Sequence, residues 1–464
     1  MAYKNLITYG SKVSQVSRDF YSPEATIGGQ PLTTLYVFLS KVDPWTDDNF
    51  PDVPSQTQQY IKNVFANMFV AKKITSNDIS PVIQRIDWIS GTTYDYYQDN
   101  IDIFANDSNG FLIYKFYVRN SYDQVFKCLW NNNGNPSTDM PMFQPGSYGT
   151  NNIFTGGDGY KWKFMYTIDA GLKKRFLDVN WMPVSVSANT SPNPVSTSAG
   201  WGDIEVINVT NPGSGYDSVN TVIQVTITGS NTVTATANVS VANGVISDVI
   251  VSNTGKNYTT ANVSIQPYTS ANLAFTSSIG SGATAIAPVS PIGGHGYDPI
   301  SELGTSHVMF SVEINGSENG YVPTDINYHQ VGLLVTPIAQ STLPNPANSA
   351  IYKTTTDLIV AAGFGFYTGD EIVYQGNSLQ TATFIATVLS YDDITGTIKL
   401  INTKGTPLPN APIYGNSSKT VRTVLSINYP DFIPYSGYLS YIENRSGIQR
   451  SPDGIEQFRF VVQY

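Results

Sequence analysis

The stretch Asp158-Gly159-Tyr160-Lys161-Trp162-Lys163-Phe164-Met165-Tyr166 carries the clearest fold information in this sequence. Asp-Gly is a strong β-hairpin dipeptide, and after it aromatic residues alternate with lysines. Successive side chains of a strand point to opposite faces, so four aromatic rings would share one face and Lys161 and Lys163 the other. The aromatic face is either a stacking platform for carbohydrates or bases, or the core side of a sheet. We expect the core side, because such rings bury a large apolar area.

Composition extends this β character to the whole chain. The 464 residues include 30 Tyr, 38 Gly and 27 Pro, which favour strands and turns, and only 13% are charged. That charged fraction is about half of the roughly 25% usual in soluble domains, so Asn, Ser, Thr, Gly and Tyr supply most of the polar surface. At roughly 150 residues per domain, the length suggests about three globular units. The prediction is a mainly β protein with few helices.

Charge and cysteine content exclude several classes of function. The net charge is −10 at pH 7, and the longest basic run is Lys173-Lys174-Arg175, so we expect no nucleic-acid binding. One cysteine, Cys128, allows neither an intrachain disulfide nor a Cys-rich zinc site. Met1 to Lys12 lacks the apolar region of a secretory signal, and no apolar run approaches the ~18 residues of a membrane span. The sequence therefore predicts a soluble protein, made in a cytosol, without membrane insertion.

One segment, near 55–73, predicts an amphipathic helix. Ser55 and Gln58 match an S-x-x-Q capping box at its start, and Lys72-Lys73 would place positive charge in its last turn. Its apolar residues recur with helical spacing: Tyr60, Ile61, Val64, Phe65, Met68 and Phe69. We expect the helix to dock this apolar face on a sheet.

An internal repeat marks residues 201–292, which are rich in Val, Thr, Ser, Asn and Gly. The first copy, Ile204, Val206, Val209, Asn211, Gly213 and Tyr216, is matched by Ile246, Asp248, Val251, Asn253, Gly255 and Tyr258. The offset is 42 residues (246 − 204 = 258 − 216). Each copy predicts a short strand, a Gly turn and a Tyr that closes over it. Gly294-His295-Gly296-Tyr297 is a weaker third echo. Two copies predict a small β module rather than a long solenoid.

A second interruption covers residues 350–425, where turn residues separate four or five short alternating strands. A small barrel-like meander fits this pattern, with the Pro-rich run Pro337 to Pro346 as the connector into it. We therefore predict a layered antiparallel β-sheet core interrupted by two small β modules. The core segments are residues 1–200, 293–349 and 426–464, and the modules are residues 201–292 and 350–425.

The C-terminal segment predicts a strand that belongs to the core. Phe458, Phe460, Val462 and Tyr464 alternate with other residues, so a strand would turn all four toward one face. We expect this face beside the aromatic strand of residues 160–166, or beside a neighbouring strand of that sheet.

Motifs for catalysis are missing from the sequence. Ser214 and Ser281 lack the flanking glycines of a nucleophile elbow, and Gly255-Lys256 lacks the following Ser or Thr of a P-loop. His295, His307 and His329 have no metal-ligand spacing, so we expect structural roles for them. Asp107-Ser108-Asn109-Gly110 resembles part of a calcium loop, but Ala105 stands where the first ligand belongs and a turn is expected.

Neighbouring carboxylates do not supply an acid–base pair. Asp47-Asp48 and Asp392-Asp393 are adjacent in sequence, and neighbours on a strand point opposite ways, so neither forms a glycosidase pair alone. Whether distant segments bring two carboxylates together is a question for the structure. We predict no catalytic, cofactor-binding or metal-binding residue, and no enzyme.

Several blocks, in order along the chain, resemble one family. They are Tyr36-Val37-Phe38-Leu39 with Asp43-Pro44-Trp45, Pro81 to Trp88, Tyr122 to Trp130, Asp158 to Trp162, Tyr328-His329-Gln330-Val331 with Thr336-Pro337, Leu439 to Arg445, and Ile455 to Phe460. Together they resemble the baseplate wedge subunit, gene product eight, of T-even-type contractile-tailed bacteriophages. Both modules look like insertions that the shorter T-even protein lacks, so they inherit nothing from the resemblance.

The resemblance implies a structural protein of the virion, located in the tail baseplate and assembled in the host cytoplasm. It implies a homodimer within each wedge that contacts other wedge subunits, with no cofactor. A surface poor in charge and rich in Tyr suits permanent burial against neighbours. The same surface fits the alternative equally well, an exposed tail protein that binds or degrades host surface glycans, with glycan contact by the inserted modules as one form of it. A long, regular β-helix would favour that alternative, whereas the repeat here covers two or three copies only.

Overall fold

The computed structural model describes residues 26–27, 30–31, 33–108, 111–144, 152–185, 199–217, 221–269 and 280–463. Within these residues the chain is mainly β, with antiparallel sheets and three short α-helices, which confirms the predicted fold class. The chain forms two compact units. The first consists mainly of Ser80–Met309, and the second of Phe310–Phe460 with the described residues up to Ile79.

The first unit is built around a four-stranded sheet, here called the aromatic sheet. Its strands, in spatial order, are β6 (Tyr117–Arg119), β7 (Gln124–Trp130), β9 (Lys161–Thr167) and β8 (Ile153–Thr155). Tyr160, Trp162, Phe164 and Tyr166 are all buried, and the rings of Tyr160 and Trp162 stack at 5.5 Å. The aromatic face is therefore the core side of the sheet, as predicted.

Short elements surround the aromatic sheet. β5 (Ile79–Gln84) pairs antiparallel with β10 (Trp181–Pro183). Helix α2 (Ala170–Phe176) begins after Asp169, whose carboxylate accepts hydrogen bonds from the N–H groups of Gly171 and Leu172. Lys173, Lys174 and Arg175 lie in its last turn, where positive charge complements the helix dipole. Helix α3 (Pro299–Glu302) follows the repeat segment.

The repeat segment forms three two-stranded antiparallel sheets that share one apolar core. The pairs are β11 (Asn208–Ser214) with β16 (Ser281–Ile286), β12 (Thr221–Thr228) with β15 (Asn262–Thr269), and β13 (Thr236–Ala242) with β14 (Val245–Asn253). The predicted turn and closing Tyr are present in both copies. The hydroxyl of Tyr216 accepts a hydrogen bond from Ala283 N at 3.2 Å, and that of Tyr258 accepts one from Ala235 N at 2.8 Å.

Glycine is required at the equivalent turn of each copy. Gly213 and Gly255 have φ of +62° and +66°, and an added Cβ would lie within 2.7 Å of backbone atoms of the facing strand. These two conditions explain the repeated Asn-x-Gly-x-x-Tyr spacing. The third echo does not close in this way, because Tyr297 is about half exposed.

The second unit contains a five-stranded antiparallel sheet. Its spatial order is β19 (Ile351–Lys353), β4 (Met68–Ile74), β3 (Leu35–Ser40), β18 (Asn327–Val335) and β26 (Tyr438–Gln449). Helix α1 (Gln58–Asn67) packs Val64 into the core beside Tyr36, Phe38 and Leu334. A short pair, β1 (Thr26–Ile27) and β2 (Gln30–Pro31), lies at the start of the described chain.

The helix predicted near 55–73 is shorter than expected. It begins after Thr57, whose hydroxyl accepts a hydrogen bond from Tyr60 N, so Ser55 is not the cap. It ends at Asn67, and Lys72-Lys73 lie in β4 instead of a last helical turn. Met68, Phe69, Val70 and Ala71 form a continuous apolar run that is buried between two neighbouring strands, and this burial overrides the helical periodicity. None of the helices in the described ranges is long and apolar enough to cross a membrane.

The second module is a closed barrel of six strands rather than four or five. The order is β20 (Thr356–Val360), β23 (Thr397–Gly405), β22 (Phe384–Asp392), β21 (Ile372–Gln375), β24 (Pro412–Gly415) and β25 (Val421–Asn428), which pairs back to β20. The barrel has its own apolar core. β25 continues beyond residue 425, the boundary expected from the sequence. The remaining domain boundaries stay predictions.

The C-terminal strand is only partly as expected. The division between the two units falls within three strands, β5, β17 (His307–Asn315) and β27 (Ile455–Gln463). Phe458 and Phe460 are buried and contact Tyr328 and Tyr441. However, β27 is not a strand of the aromatic sheet, so the prediction that the C-terminal strand lies beside the strand of residues 160–166 is wrong. Val462 is only half-buried, and Tyr464 lies outside the described residues.

Candidate functional site at the polar face of the aromatic sheet

The second face of the aromatic sheet carries buried lysines. Lys127 on β7 and Lys163 on β9 are direct cross-strand partners, and neither is exposed. Like charges in this position repel each other, and a buried ammonium group also loses its hydration. Both lysines therefore need anionic partners from elsewhere in the chain.

Two glutamates supply this compensation. Lys163 Nζ lies 2.8 Å from Glu205 Oε2, and Lys127 Nζ lies 3.0 Å from Glu302 Oε2. Lys127 Nζ is also 3.1 Å from His295 Nδ1. The second carboxylate oxygen of Glu302 accepts a hydrogen bond from Gly296 N at 2.8 Å. We call these five side chains, Lys127, Lys163, Glu205, His295 and Glu302, the charge network.

Burial controls the protonation of the charge network. Burial, and then the positive charge of Lys127, lowers the pKa of His295 to about 3, so this imidazole is neutral at pH 7. Burial would raise the pKa of Glu302, but Lys127 and His295 outweigh it and lower the pKa to about 2. Burial raises the pKa of Glu205, with Lys163 acting against it. Burial lowers the pKa of Lys127, against the charge of Glu302.

The network joins the aromatic sheet to the start of the repeat module and to the segment that follows the module. Glu205 comes just before β11, and His295 and Glu302 follow β16. Lys161 adds an ion pair with Asp248 at 2.8 Å, and the amide of Asn208 donates to Leu129 O at 2.9 Å. Because the five network side chains are almost fully buried, they do not face a space that a substrate could enter. Each buried charge is satisfied by its partner within the network, and loss of either partner would leave an unpaired buried charge.

The other two histidines occupy separate structural positions. His307 bonds to Ser306 and packs 4.3 Å from the ring of Trp181, and burial lowers its pKa to about 4. His329 Nε2 lies 3.2 Å from Asp48 Oδ2. In the described part of the chain, no three His, Cys, Asp or Glu side chains form a group suited to a metal ion.

The adjacent aspartates have the structural roles expected of turn residues. The Asp47 carboxylate accepts a hydrogen bond from Asn49 N, and the Asp392 carboxylate accepts one from Ile394 N, in each case two residues later in the chain. The described part of the Asp107 segment is likewise a turn, in which Phe111 N donates to the Asp107 carboxylate. Cys128 is buried, and burial raises the pKa of its thiol, which disfavours the reactive thiolate.

The carboxylate of Asp370, on the barrel, has a raised pKa. Burial first, and then the negative charge of Asp43, raises the pKa of Asp370. His329 acts in the opposite direction. Asp370 is therefore the residue to substitute in any test for acid–base chemistry.

Sequence reasoning missed the partners of the charge network. Lys127 and Glu302 are 175 positions apart, and no local motif links them. The available signal was the pair of lysines opposite an aromatic face in a chain poor in charge.

No protein-family model matches this chain, and no curated protein matches it.

Proposed function

We propose that the chain is a structural subunit of the baseplate wedge in a contractile phage tail, acting through dimerisation and contacts with other wedge subunits. One observation carries this proposal. Three blocks of the family resemblance, Tyr36–Leu39, Tyr328–Val331 and Leu439–Arg445, lie far apart in sequence but fall on β3, β18 and β26, which are adjacent strands of one sheet. Because the fold brings these separate blocks together in one sheet, the blocks fit a structural core shared with the family.

Side chains from these blocks also bond to each other. Gln330 donates to Asn444 Oδ1 at 2.7 Å, and Tyr60 of α1, which lies outside the blocks, donates to the same oxygen at 2.9 Å. Both inserted segments, in contrast, form apolar cores of their own. This separation supports a family core with added modules.

The surface supports assembly rather than catalysis. Large apolar side chains are exposed at many points, including Phe50, Trp201, Phe364 and Ile394. Interfaces are poor in charged and rich in aromatic residues, and 13% charged and 12% aromatic residues in this chain match that composition. The charge network is closed to solvent and serves to fix segments in place.

Light scattering at micromolar concentration, with a panel of polysaccharide and ester substrates, tests the proposal. We expect a dimer and no turnover. A monomer at every concentration would contradict the dimer. Turnover that the Asp370→Asn variant abolishes would overturn the non-enzymatic proposal.

A second candidate function, glycan binding, is favoured by one concave site in the second unit. The site has a volume of about 420 Å³ and is lined by Tyr321, Tyr429, Gln340, Ser341 and Asp431, among others. Two part-exposed aromatic rings with hydroxyl, amide and carboxylate groups suit a neutral sugar, because the rings stack on its C–H face and the polar groups bond to its hydroxyls. Titration with host surface glycans, using Tyr429→Ala as the binding-deficient variant and Tyr297→Ala as an exposed control, tests this candidate.

A further inference from the structure

The Lys163–Glu205 pair of the charge network brings an amine and a carboxyl group into contact where water is excluded. Lys163 Nζ lies 2.8 Å from Glu205 Oε2, and the two side chains are 0% and 3% exposed. The carbon that such an amine would attack, Glu205 Cδ, carries this oxygen. Two groups that the fold holds in contact react as if they were very concentrated, because folding has already removed the entropy of bringing them together.

Neighbouring strands and apolar side chains surround the pair. Lys163 lies in β9 between its direct cross-strand partners, Lys127 of β7 and Ile153 of β8. Glu205 is followed by Val206, which is buried in an apolar cluster against which Ile153 also packs. A bond formed in this place would be protected from hydrolysis, since bulk water does not reach it.

Glu205 differs in protonation from Glu302, the other glutamate of the network. Burial, the largest influence, raises the pKa of Glu205, and the negative charge of Glu302 adds to this effect, with Lys163 acting against both. Burial would also raise the pKa of Glu302, but Lys127 outweighs it and the pKa falls to about 2. Glu302 is further held as a carboxylate by a hydrogen bond from Gly296 N. An amine attacks a carboxylic acid more readily than a carboxylate, because the carbon of the acid is poorer in electrons. Of the two buried pairs, Lys163–Glu205 is therefore the reactive one.

We propose that Lys163 and Glu205 join in an intramolecular isopeptide bond that forms once the chain has folded. A proton first passes from the ammonium group to the carboxylate along their hydrogen bond, which leaves an amine and a carboxylic acid. The lone pair of Nζ then attacks Cδ, and an Nζ–Cδ bond forms. The bond between Cδ and the protonated oxygen breaks, and this oxygen takes a second proton from the nitrogen and leaves as water. The atoms balance without a further reactant.

Loss of buried charge favours this condensation. The ion pair keeps an ammonium group and a carboxylate in a site that does not hydrate them, and such charges are costly even when they are paired. The amide that replaces them has no net charge, and the water that is released joins the solvent. Repulsion between Lys163 and Lys127, which are direct cross-strand partners, also disappears.

The bond ties β9 of the aromatic sheet to the start of the repeat module. Lys163 and Glu205 are 42 positions apart, so the bond closes a covalent loop that restricts the unfolded chain. A force that pulls the repeat module from the sheet would then load a covalent bond instead of an ion pair. This inference goes beyond the proposed function, because it applies equally to a baseplate subunit and to a glycan-binding tail protein.

The intact mass of the denatured full chain tests the proposal. We expect a mass lower than the sequence mass by one water molecule, and a cross-linked peptide that contains Lys163 and Glu205 after proteolysis. Lys163→Arg keeps the positive charge but removes the amine, so its mass should equal that of its own sequence. Lys173→Arg is the matched control, since Lys173 forms an ion pair with Asp123 at the same 2.8 Å but is 51% exposed. This control should lose one water molecule, as the wild type does.

The wild-type measurement is decisive whether or not the variants fold. A wild-type mass equal to the sequence mass would overturn the proposal. A loss of water that persists in Lys163→Arg would also overturn it, because the water would then come from another site, such as cyclised Asp158-Gly159. A cross-link that maps to Lys127 and Glu302 would contradict the assignment of the reactive pair. These results are independent of the dimer, which light scattering measures separately.

Discussion

At the residue scale, each buried lysine of the charge network depends on one glutamate. Lys163 and Glu205 form a pair whose side chains are at most 3% exposed. Replacing Lys163 by Met leaves Glu205 buried without a partner, which should cost about 3–5 kcal/mol. Lys173 pairs with Asp123 at the same 2.8 Å, but its side chain is 51% exposed, so Lys173→Met should cost only about 0–1 kcal/mol.

Urea denaturation of the two variants makes this comparison. Equal free energies of unfolding for Lys163→Met and Lys173→Met would show that the buried pair contributes no more than a surface pair.

The charge network also predicts a dependence of stability on pH. The pKa of His295 falls from 6.5 to about 3 in the folded protein. Between these values the unfolded chain binds a proton that the folded chain does not, so stability falls as the pH is lowered, by up to about 1.4 kcal/mol per pH unit for this group. His295→Gln should show a shallower loss of unfolding free energy between about pH 6.5 and pH 5. Identical slopes in wild type and variant would contradict this role for His295.

The strand around Trp162 was predictable from local sequence, but the tertiary contacts of the buried lysines were not. Alternation around Trp162 was enough to predict a strand and its buried face. The partners of Lys127 and Lys163 were not predictable, because Glu302 and Glu205 reach them through tertiary folding and no local spacing encodes that contact.

At the element scale, tertiary packing rather than helix propensity determines that α1 ends at Asn67. The run from Met68 to Ala71 satisfies helical spacing, but burial on a central strand favours β4. The repeat was easier to predict, because Gly213 and Gly255 are locally required and the Tyr three residues later closes each turn. Local constraints were visible in the sequence, and constraints from neighbouring strands were not.

The repeat turns lead to a prediction at this scale. Gly255→Ala introduces a Cβ 2.7 Å from Ala235 N at a φ of +66°. Gly91 also has a positive φ, +85°, but a Cβ added there would have no neighbouring atom within 4 Å. Gly91→Ala should therefore cost only the backbone strain of about 1–2 kcal/mol, and Gly255→Ala distinctly more. Thermal melting of both variants gives the comparison, and equal midpoints would mean that the close approach in the repeat is not a constraint.

At the scale of the whole molecule, we predict that the barrel is an insertion. Its first and last strands, β20 and β25, are paired, with Asp357 opposite Asn428. Cross-strand partners lie about 4.5–5.5 Å apart, so a short Gly/Ser linker from Thr355 to Tyr429 can replace the barrel. We expect the shortened protein to melt cooperatively, at a lower temperature because the packing of β23 against α1 is lost. Aggregation with loss of β-sheet circular dichroism would show that the barrel is part of the core.

The central claim, a place in the baseplate wedge, is tested most directly by a reconstruction of an intact tail that contains this chain fused to a small density marker. We predict marker density at the baseplate, with two copies in each wedge related by a local two-fold axis. Marker density confined to fibre tips or to the tail tube, with none in the wedges, would contradict the claim.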